Sequence, residues 1–133
     1  MLRSVFAVII GFAVFAASGF ALFQLTGQAP HGEMSGAFMA GFVVYGVAFA
    51  LLGGFIGGWL SGRRPFAHGA AVAVVLAVGA AASLVSTLGE GGVIWTQVFA
   101  ITLMAPAAAF GGYLRQRTGR TAEPGAAPDR GSI

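Results

Sequence analysis

The chain has 133 residues, of which 57% are hydrophobic and only 8% are charged, about a third of the ~25% that is usual in soluble domains. So few charges cannot coat the surface of a soluble domain of this size, which excludes that class and indicates an integral membrane protein. There is no cysteine, which excludes disulfides and thiolate metal sites, and the net charge of +3 comes from arginines scattered over short segments, a pattern that does not predict nucleic-acid binding.

Four apolar runs predict four transmembrane helices, at residues 5–26, 35–60, 66–88 and 93–114. Each run is long enough to cross ~30 Å of hydrocarbon, which takes about 20 helical residues, and none contains Asp, Glu, Lys or Arg. The sequence therefore predicts an all-α, four-helix transmembrane bundle over residues 1–117. The Gly-, Pro- and Ala-rich remainder, residues 118–133, is predicted to be a disordered cytoplasmic tail.

The first run follows Arg3 and could be taken for a signal peptide. Its apolar stretch is longer than the about 7–15 residues of a signal-peptide core, so we expect a retained helix.

The arginines mark one side of the membrane. The two loops on the other side contain Glu33 and Glu90 but no arginine. Because positive residues favour the cytoplasmic side, we expect a multi-pass protein of a bacterial inner (plasma) membrane with both termini in the cytoplasm. The arginines that flank the spans are Arg3, Arg63, Arg64, Arg115, Arg117 and Arg120.

Aromatic residues occupy the ends of the predicted spans. Trp59 and Tyr113 fall on the arginine side and Trp95 on the opposite side, where amphipathic rings are enriched in membrane proteins. We predict that these three residues are interface anchors. Tyr45 lies well inside the second span, so its hydroxyl is expected to find a hydrogen-bond partner.

The second span carries rows of small residues at four-residue spacing. Such rows let helix backbones approach closely, which is how helices associate in lipid. Two interpretations are open: packing within the bundle, and docking against another membrane subunit or a second copy. The predicted packing residues are Gly46, Ala50, Gly54, Gly58 and Gly62, with Gly53 and Gly57 in the neighbouring row.

The second and fourth spans end alike, in Gly57-Gly58-Trp59-Leu60 and Gly111-Gly112-Tyr113-Leu114. This similarity suggests two copies of a helical hairpin in parallel topology, with chance matching in an Ala- and Gly-rich chain as the alternative. Pro106 lies inside the fourth span and removes a backbone hydrogen bond, so it predicts a kink there.

Uncharged polar residues gather in the outer halves of the spans. One interpretation is hydrogen bonding between helices. The other is an outward-facing polar pocket for a small neutral solute or a lipid. The residues concerned are Gln24, Ser83, Ser86, Thr87, Thr96 and Gln97.

The chain offers no evident catalytic or cofactor chemistry. No span holds an ionisable acid, which disfavours proton-coupled transport. His31, Glu33 and Glu90 are metal-capable residues on the outer side, but their spacing repeats no ligand pattern, so we expect solvated loop residues. We predict no enzyme activity, no metal and no cofactor.

The segment Leu51-Leu52-Gly53-Gly54-Phe55-Ile56-Gly57-Gly58, with Arg63-Arg64, Trp95 and the Pro106 to Gly112 stretch, resembles uncharacterised small four-helix bacterial membrane proteins. That resemblance implies architecture only. From the residues we predict a non-enzymatic accessory subunit that packs against other membrane proteins or itself, among membrane lipids. A small channel or carrier for a neutral solute or lipid is the alternative, and a membrane-embedded enzyme is a third interpretation that the missing reactive residues disfavour.

Overall fold

The structure, a computed structural model, describes residues 1–121. Over that range, four helices are long and apolar enough to cross a membrane, the last of them interrupted by a π-helical turn. The predicted all-α, four-helix transmembrane bundle is confirmed. The elements are α1 (Leu2–Thr26), α2 (Gly36–Ser61), α3 (Pro65–Glu90), α4 (Trp95–Phe99), the π-helical turn (Ala100–Met104) and α5 (Ala105–Thr121).

Local signals explain most of the helix boundaries. Ser35 lies just outside α2, where its hydroxyl accepts a hydrogen bond from the Phe38 N–H at 3.2 Å, so it is the N-cap of the helix rather than its first residue. Pro65 opens α3, because the first helical position needs no N–H. The fourth span is the exception. It continues to Thr121, although the sequence places its end at Leu114.

The extension of α5 covers the beginning of the predicted tail. Arginine and glutamine are good helix formers, so the helix can continue after the apolar run has ended. Residues 118–121 are helical. The rest of the predicted tail, residues 122–133, lies outside the described residues.

Arg3 ties the start of α1 to the end of α2. Its Nε donates a hydrogen bond to the Leu60 carbonyl at 2.9 Å, which places a cation beside the negative end of the α2 dipole. The end of the bundle that carries Arg3, the α2–α3 turn and the end of α5 is called the arginine end below. The end that carries residues 27–35 and 91–94 is called the loop end.

α1, α2 and α3 meet closely in the half of the bundle nearest the arginine end. A Cβ added to Gly11 would lie 2.6 Å from the Gly53 carbonyl oxygen and 2.9 Å from Cγ2 of Val72. Both distances are shorter than a van der Waals contact. A residue without a side chain is therefore required in α1 at this crossing.

α5 packs against α2 and α3 by the same means. A Cβ on Gly54 would overlap the backbone carbonyl of Ala108. A Cβ on Gly69 would lie 2.6 Å from Cα of Gly112. Since backbone rather than a movable side chain stands opposite each glycine, these crossings cannot accept a larger residue without displacing a helix.

Six of the seven predicted packing residues of α2 are buried inside the chain, and they face more than one neighbour. Gly53 faces α1, Gly54 faces α5, and Gly58 faces Pro65 at the start of α3. Gly46 lies against the Met104 side chain of the π-helical turn. The six buried residues are Gly46, Ala50, Gly53, Gly54, Gly57 and Gly58.

Gly62 does not belong to that packing face. It follows the last residue of α2 as its C-cap, with φ 67° and ψ −17°. This left-handed conformation favours glycine because a Cβ would be strained there. Gly62 is exposed, and its neighbour is the Arg3 guanidinium. The interpretation of Gly62 as a packing residue was wrong, because the helix ends before it.

The glycine pairs that suggest a duplicated hairpin have different surroundings. A Cβ on Gly57 would meet Val72 of α3 and Ala7 of α1, whereas one on Gly111 would meet the Leu51 carbonyl of α2. In a duplicated hairpin α2 and α5 would be equivalent helices. Because Gly111 of α5 faces α2, its equivalent Gly57 of α2 would then face α5, and it does not. The similar sequences thus do not make equivalent contacts.

The fourth span is disrupted directly before Pro106. Proline has no N–H to bond the carbonyl of Thr102 four residues earlier, and its ring crowds that carbonyl. In the widened turn the Ala105 N–H bonds the Ala100 carbonyl, five residues back. The helix thus forms a π-helical turn directly before Pro106, a feature that is frequent at functional sites. The kink predicted there stays a prediction.

Gly54→Leu is expected to destabilise the bundle, because a side chain at this position overlaps the Ala108 backbone. Overpacking typically costs about 1–3 kcal/mol, and we expect the upper part of that range because backbone cannot rotate away. Thermal unfolding in mild detergent, followed by circular dichroism, measures the effect. Gly41→Leu is the matched control, since a Cβ there meets nothing within 4 Å. Equal melting temperatures for the two variants would contradict the close crossing.

Candidate ligand-binding cavity at the loop end

The half of the bundle nearest the loop end contains a cavity of about 650 Å³ between α1, α2, α3 and α4. Its size is within the range of about 300–1,000 Å³ that is usual for small-molecule sites. Most of the lining is apolar, and residues 27–31 of the α1–α2 loop contribute to its outer rim. The aromatic part of the wall consists of Phe12, Phe15, Phe20, Phe23, Phe42 and Tyr45.

The cavity exists because α1 and α3 separate towards the loop end. Gly19 of α1 and Gly79 of α3 both line it, and a Cβ added to either would meet nothing within 4 Å. Phe20 and Gly79 are lining residues that are also exposed on the outside of the chain. The cavity therefore reaches the lateral surface of the bundle, which faces lipid in a membrane.

Gln97 is the central polar residue of the cavity wall. Only 3% of its surface is exposed, and its side-chain amide lies within hydrogen-bond distance of four other side chains. These contacts tie α4 to α3 and to the α1–α2 loop. Nε2 of Gln97 is 3.0 Å from Thr87 Oγ1, 3.0 Å from His31 Nδ1 and 3.3 Å from Ser83 Oγ, and Oε1 is 2.8 Å from Thr96 Oγ1.

The number of available protons limits these contacts. The Gln97 amide has two N–H donors for three acceptors, so at most two are satisfied at once. Thr87 donates its own proton to the Ser83 carbonyl at 2.8 Å and is therefore an acceptor for Gln97. His31 can accept only through an Nδ1 that carries no proton. The hydrogen bond between Gln97 and Thr87 therefore has a fixed direction, with Gln97 as the donor. Ser83 and His31 compete for the second N–H proton of the Gln97 amide.

Thr96 connects the cluster to the loop above it. Its hydroxyl is 2.8 Å from Gln97 Oε1 and 3.3 Å from the Pro30 carbonyl oxygen. A hydroxyl has one proton, so it donates to one of these acceptors at a time. The loop that covers the cavity is thus held by the same side chains that form its polar wall.

Four of the six predicted pocket residues come together, namely Ser83, Thr87, Thr96 and Gln97. Gln24 lines the same cavity but is exposed and lies apart from the cluster. Ser86 does not belong to the pocket. It is exposed on α3 and is neither a lining residue of the cavity nor a partner of Gln97, although its spacing places it near Ser83 and Thr87.

His31 is a member of the cluster that the sequence does not reveal. We expected a solvated loop residue, and its side chain is indeed exposed, yet Nδ1 contacts the buried Gln97 amide. The two residues are 66 positions apart, and a loop fold sets their contact. Within residues 1–121, no three His, Asp or Glu side chains are grouped closely enough to hold a metal ion.

The half-buried Tyr45 has the hydrogen-bond partner that the sequence predicts for its hydroxyl. Its hydroxyl donates to the Ser18 carbonyl of α1 at 3.0 Å. Both residues line the cavity. The bond joins α1 to α2 at the level where α1 has already left α3, so it helps to fix the position of the cavity wall.

The three predicted anchors differ in their surroundings. Trp59 is exposed, and Tyr113 is partly exposed beside Arg117, whose guanidinium carbon lies 5.8 Å from the ring centre. Trp95 is half-buried instead. Its ring packs edge-on against Phe42 at 5.1 Å between ring centres, and its indole Nε1 is buried without a hydrogen-bond partner. Trp95 therefore contributes to the packing of the loop end.

Comparison with protein-family models, with curated proteins and with solved structures gives no match.

Gln97→Leu is expected to destabilise the loop end, because it leaves the buried Thr87 and Thr96 hydroxyls without their shared partner. Loss of a buried hydrogen-bond partner costs about 1–3 kcal/mol. Unfolding in mild detergent measures this loss. Gln24→Leu removes the same amide from an exposed position on the cavity wall and is the control. Equal stability of the parent and Gln97→Leu would mean that the cluster contributes nothing to folding.

Proposed function

We propose that this integral membrane protein binds a neutral amphiphile, a molecule with an uncharged hydroxyl or amide head and an apolar chain. The head lies against Gln97 and the chain lies among the phenylalanines of the cavity. This is a binding or carrier role rather than a catalytic one. It develops the carrier alternative drawn from the sequence.

The single observation that carries this proposal is the position of Gln97. A buried amide with more partners than protons stands at one side of a mostly apolar cavity that reaches the lateral surface of the bundle. Small-molecule sites have this composition, with few polar groups that orient the ligand and many apolar ones that surround it. A ligand hydroxyl can accept one proton of the Gln97 amide in place of Ser83 or His31.

The lining favours an uncharged ligand. None of the cavity residues is Asp, Glu, Lys or Arg, so a charged head would enter without a counter-charge. Burying an unpaired charge in an apolar site is costly. A neutral hydroxylated head instead finds the hydroxyl of Ser83, the amide of Gln97 and the imidazole of His31 within one cluster.

An accessory subunit that docks through its small-residue face is the other function suggested by the sequence. The buried small residues of α2 already face α1, α3 and α5 of the same chain. A partner subunit, or a second copy, could use that face only if these helices separated. The packing thus gives more support to ligand binding than to docking.

We also propose the inner membrane of a bacterium as the location, with both termini in the cytoplasm. The support is the grouping of Arg3, Arg63, Arg64 and the α5 arginines at one end of the bundle. In this orientation the cavity opens in the outer leaflet.

Photo-crosslinking tests the binding function. The full chain in neutral lipid nanodiscs is exposed to a monoacylglycerol whose acyl chain carries a diazirine, and the labelled peptides are mapped by mass spectrometry. Label is expected on the cavity-lining parts of α1 and α3. Gly79→Leu should lower labelling about tenfold, because the new side chain enters open space in the cavity without meeting the backbone.

Gly41→Leu is the matched control for this experiment. It makes the same change at a site that is equally open but lies outside the cavity, so labelling should equal that of the parent. Unlabelled monoacylglycerol and a plain hydrocarbon are then compared as competitors of the photo-crosslinking probe. Gln97→Leu should weaken the competition by monoacylglycerol more, because only that competitor has a head that bonds Gln97. Equal labelling of Gly79→Leu and Gly41→Leu would refute binding in the cavity.

A further inference from the structure

A second cleft, distinct from the cavity at the loop end, lies at the arginine end. It has a volume of about 510 Å³ and is bounded by the end of α2, the α2–α3 turn, the start of α3 and the last part of α5. Three arginines line it: Arg64, Arg115 and Arg120. The neutral ligand proposed above makes no use of this cleft.

The arginines of the cleft are far from the described carboxylates. Within residues 1–121 the acidic side chains are Glu33 and Glu90, and both belong to the loop end. Arg115 is half-buried, and its Nε is fully buried without a hydrogen-bond partner in the described part of the chain. An anion in the cleft would bring a negative charge beside this guanidinium, which no carboxylate among residues 1–121 supplies.

The backbone of the turn adds to this positive field. α3 begins in the cleft at Pro65, so the positive end of its dipole points there. Arg64, the residue before it, has φ 48° and is the only residue other than glycine with a positive φ among residues 1–121. Glycine would adopt this conformation at less cost. The strained position nevertheless carries a cationic side chain that lines the cleft.

The rim of the cleft is apolar and faces outwards. Trp59 and Phe66 line it and are 58% and 48% exposed. Exposed rings beside arginines at a helix end are typical of the level where lipid headgroups meet acyl chains. A cleft with a cationic floor and an apolar rim suits a phosphate that is attached to an acyl chain better than it suits a free ion.

We propose that the arginine end binds a phosphate group of net negative charge, supplied by the headgroup of an anionic phospholipid. The guanidinium groups of Arg64 and Arg115 bind the phosphate oxygens, and Arg120 closes the outer side. Basic pockets between transmembrane helices have the chemistry for this kind of headgroup recognition.

Native mass spectrometry of the full chain tests the site. Protein in neutral detergent is titrated with phosphatidylglycerol or with phosphatidylcholine, and the lipid-bound fraction is measured for each. The parent is expected to retain phosphatidylglycerol preferentially. The double variant R64Q/R115Q should lose that preference about tenfold, and R115Q alone, which leaves the α2–α3 turn intact, should lose part of it.

R63Q/R117Q is the control with the same change in charge. Neither Arg63 nor Arg117 lines the cleft, although both are exposed at the same end of the bundle. This variant should keep the preference of the parent. If both double variants lose the preference for phosphatidylglycerol equally, the lipid is attracted only by the overall charge of this end, and the proposed site is wrong. An equal preference in the parent and in R64Q/R115Q would also overturn the site.

Competition with inorganic phosphate identifies the source of the bound group. If millimolar phosphate does not displace phosphatidylglycerol, the acyl chain contributes to binding and the ligand is the lipid. If phosphate displaces phosphatidylglycerol from the parent but has no such effect on R64Q/R115Q, the anion site stands. Its ligand is then a soluble phosphate rather than a lipid. Failure of these tests would leave the amphiphile cavity untouched, since the two sites share no residue.

Discussion

Close contact between helix backbones is the constraint on which this bundle depends. Apolar side chains gain little by leaving hydrocarbon for a protein interior, so helices in lipid associate through dispersion across short distances. Here the short distances are confined to the half near the arginine end, where glycine or alanine stands at each crossing. A glycine at one position therefore determines which two helix backbones can come into contact there. The crossings pair Gly11 with Gly53, Gly54 with Ala108, and Gly69 with Gly112.

The cavity is a consequence of where these contacts stop. α1 touches α3 at Gly11 and Val72 but has left it at the level of Gly19 and Gly79. Beyond that level the bundle is filled by large rings, such as the edge-on pair of Phe42 and Trp95. Rings hold helices further apart than glycines do, so space remains between them. The same helices are therefore tight at one end and separated at the other without any hinge.

The sequence predicts the spans well because length and charge act directly on each helix. It misplaces the end of α5, because the apolar run ends at Leu114 whereas the helix continues to Thr121. Spacing along one helix predicts that Ser83, Ser86 and Thr87 share a side. It cannot show that Gln97 contacts Ser83 and Thr87 but not Ser86, nor that the loop brings His31 to Gln97. Those contacts depend on the position and rotation of α4 relative to α3. A residue pattern within one helix carries no information about that arrangement.

The uneven distribution of charge gives the two ends different chemistry. Near the loop end, no cavity residue is Asp, Glu, Lys or Arg, and the Gln97 amide has more acceptors than protons. At the arginine end, Arg115 has a buried donor that no described side chain accepts. A neutral ligand suits the first environment because it needs no counter-charge, and an anion suits the second because it supplies one. The tight crossings lie between the two environments, so the two ligands proposed above would occupy separate sites.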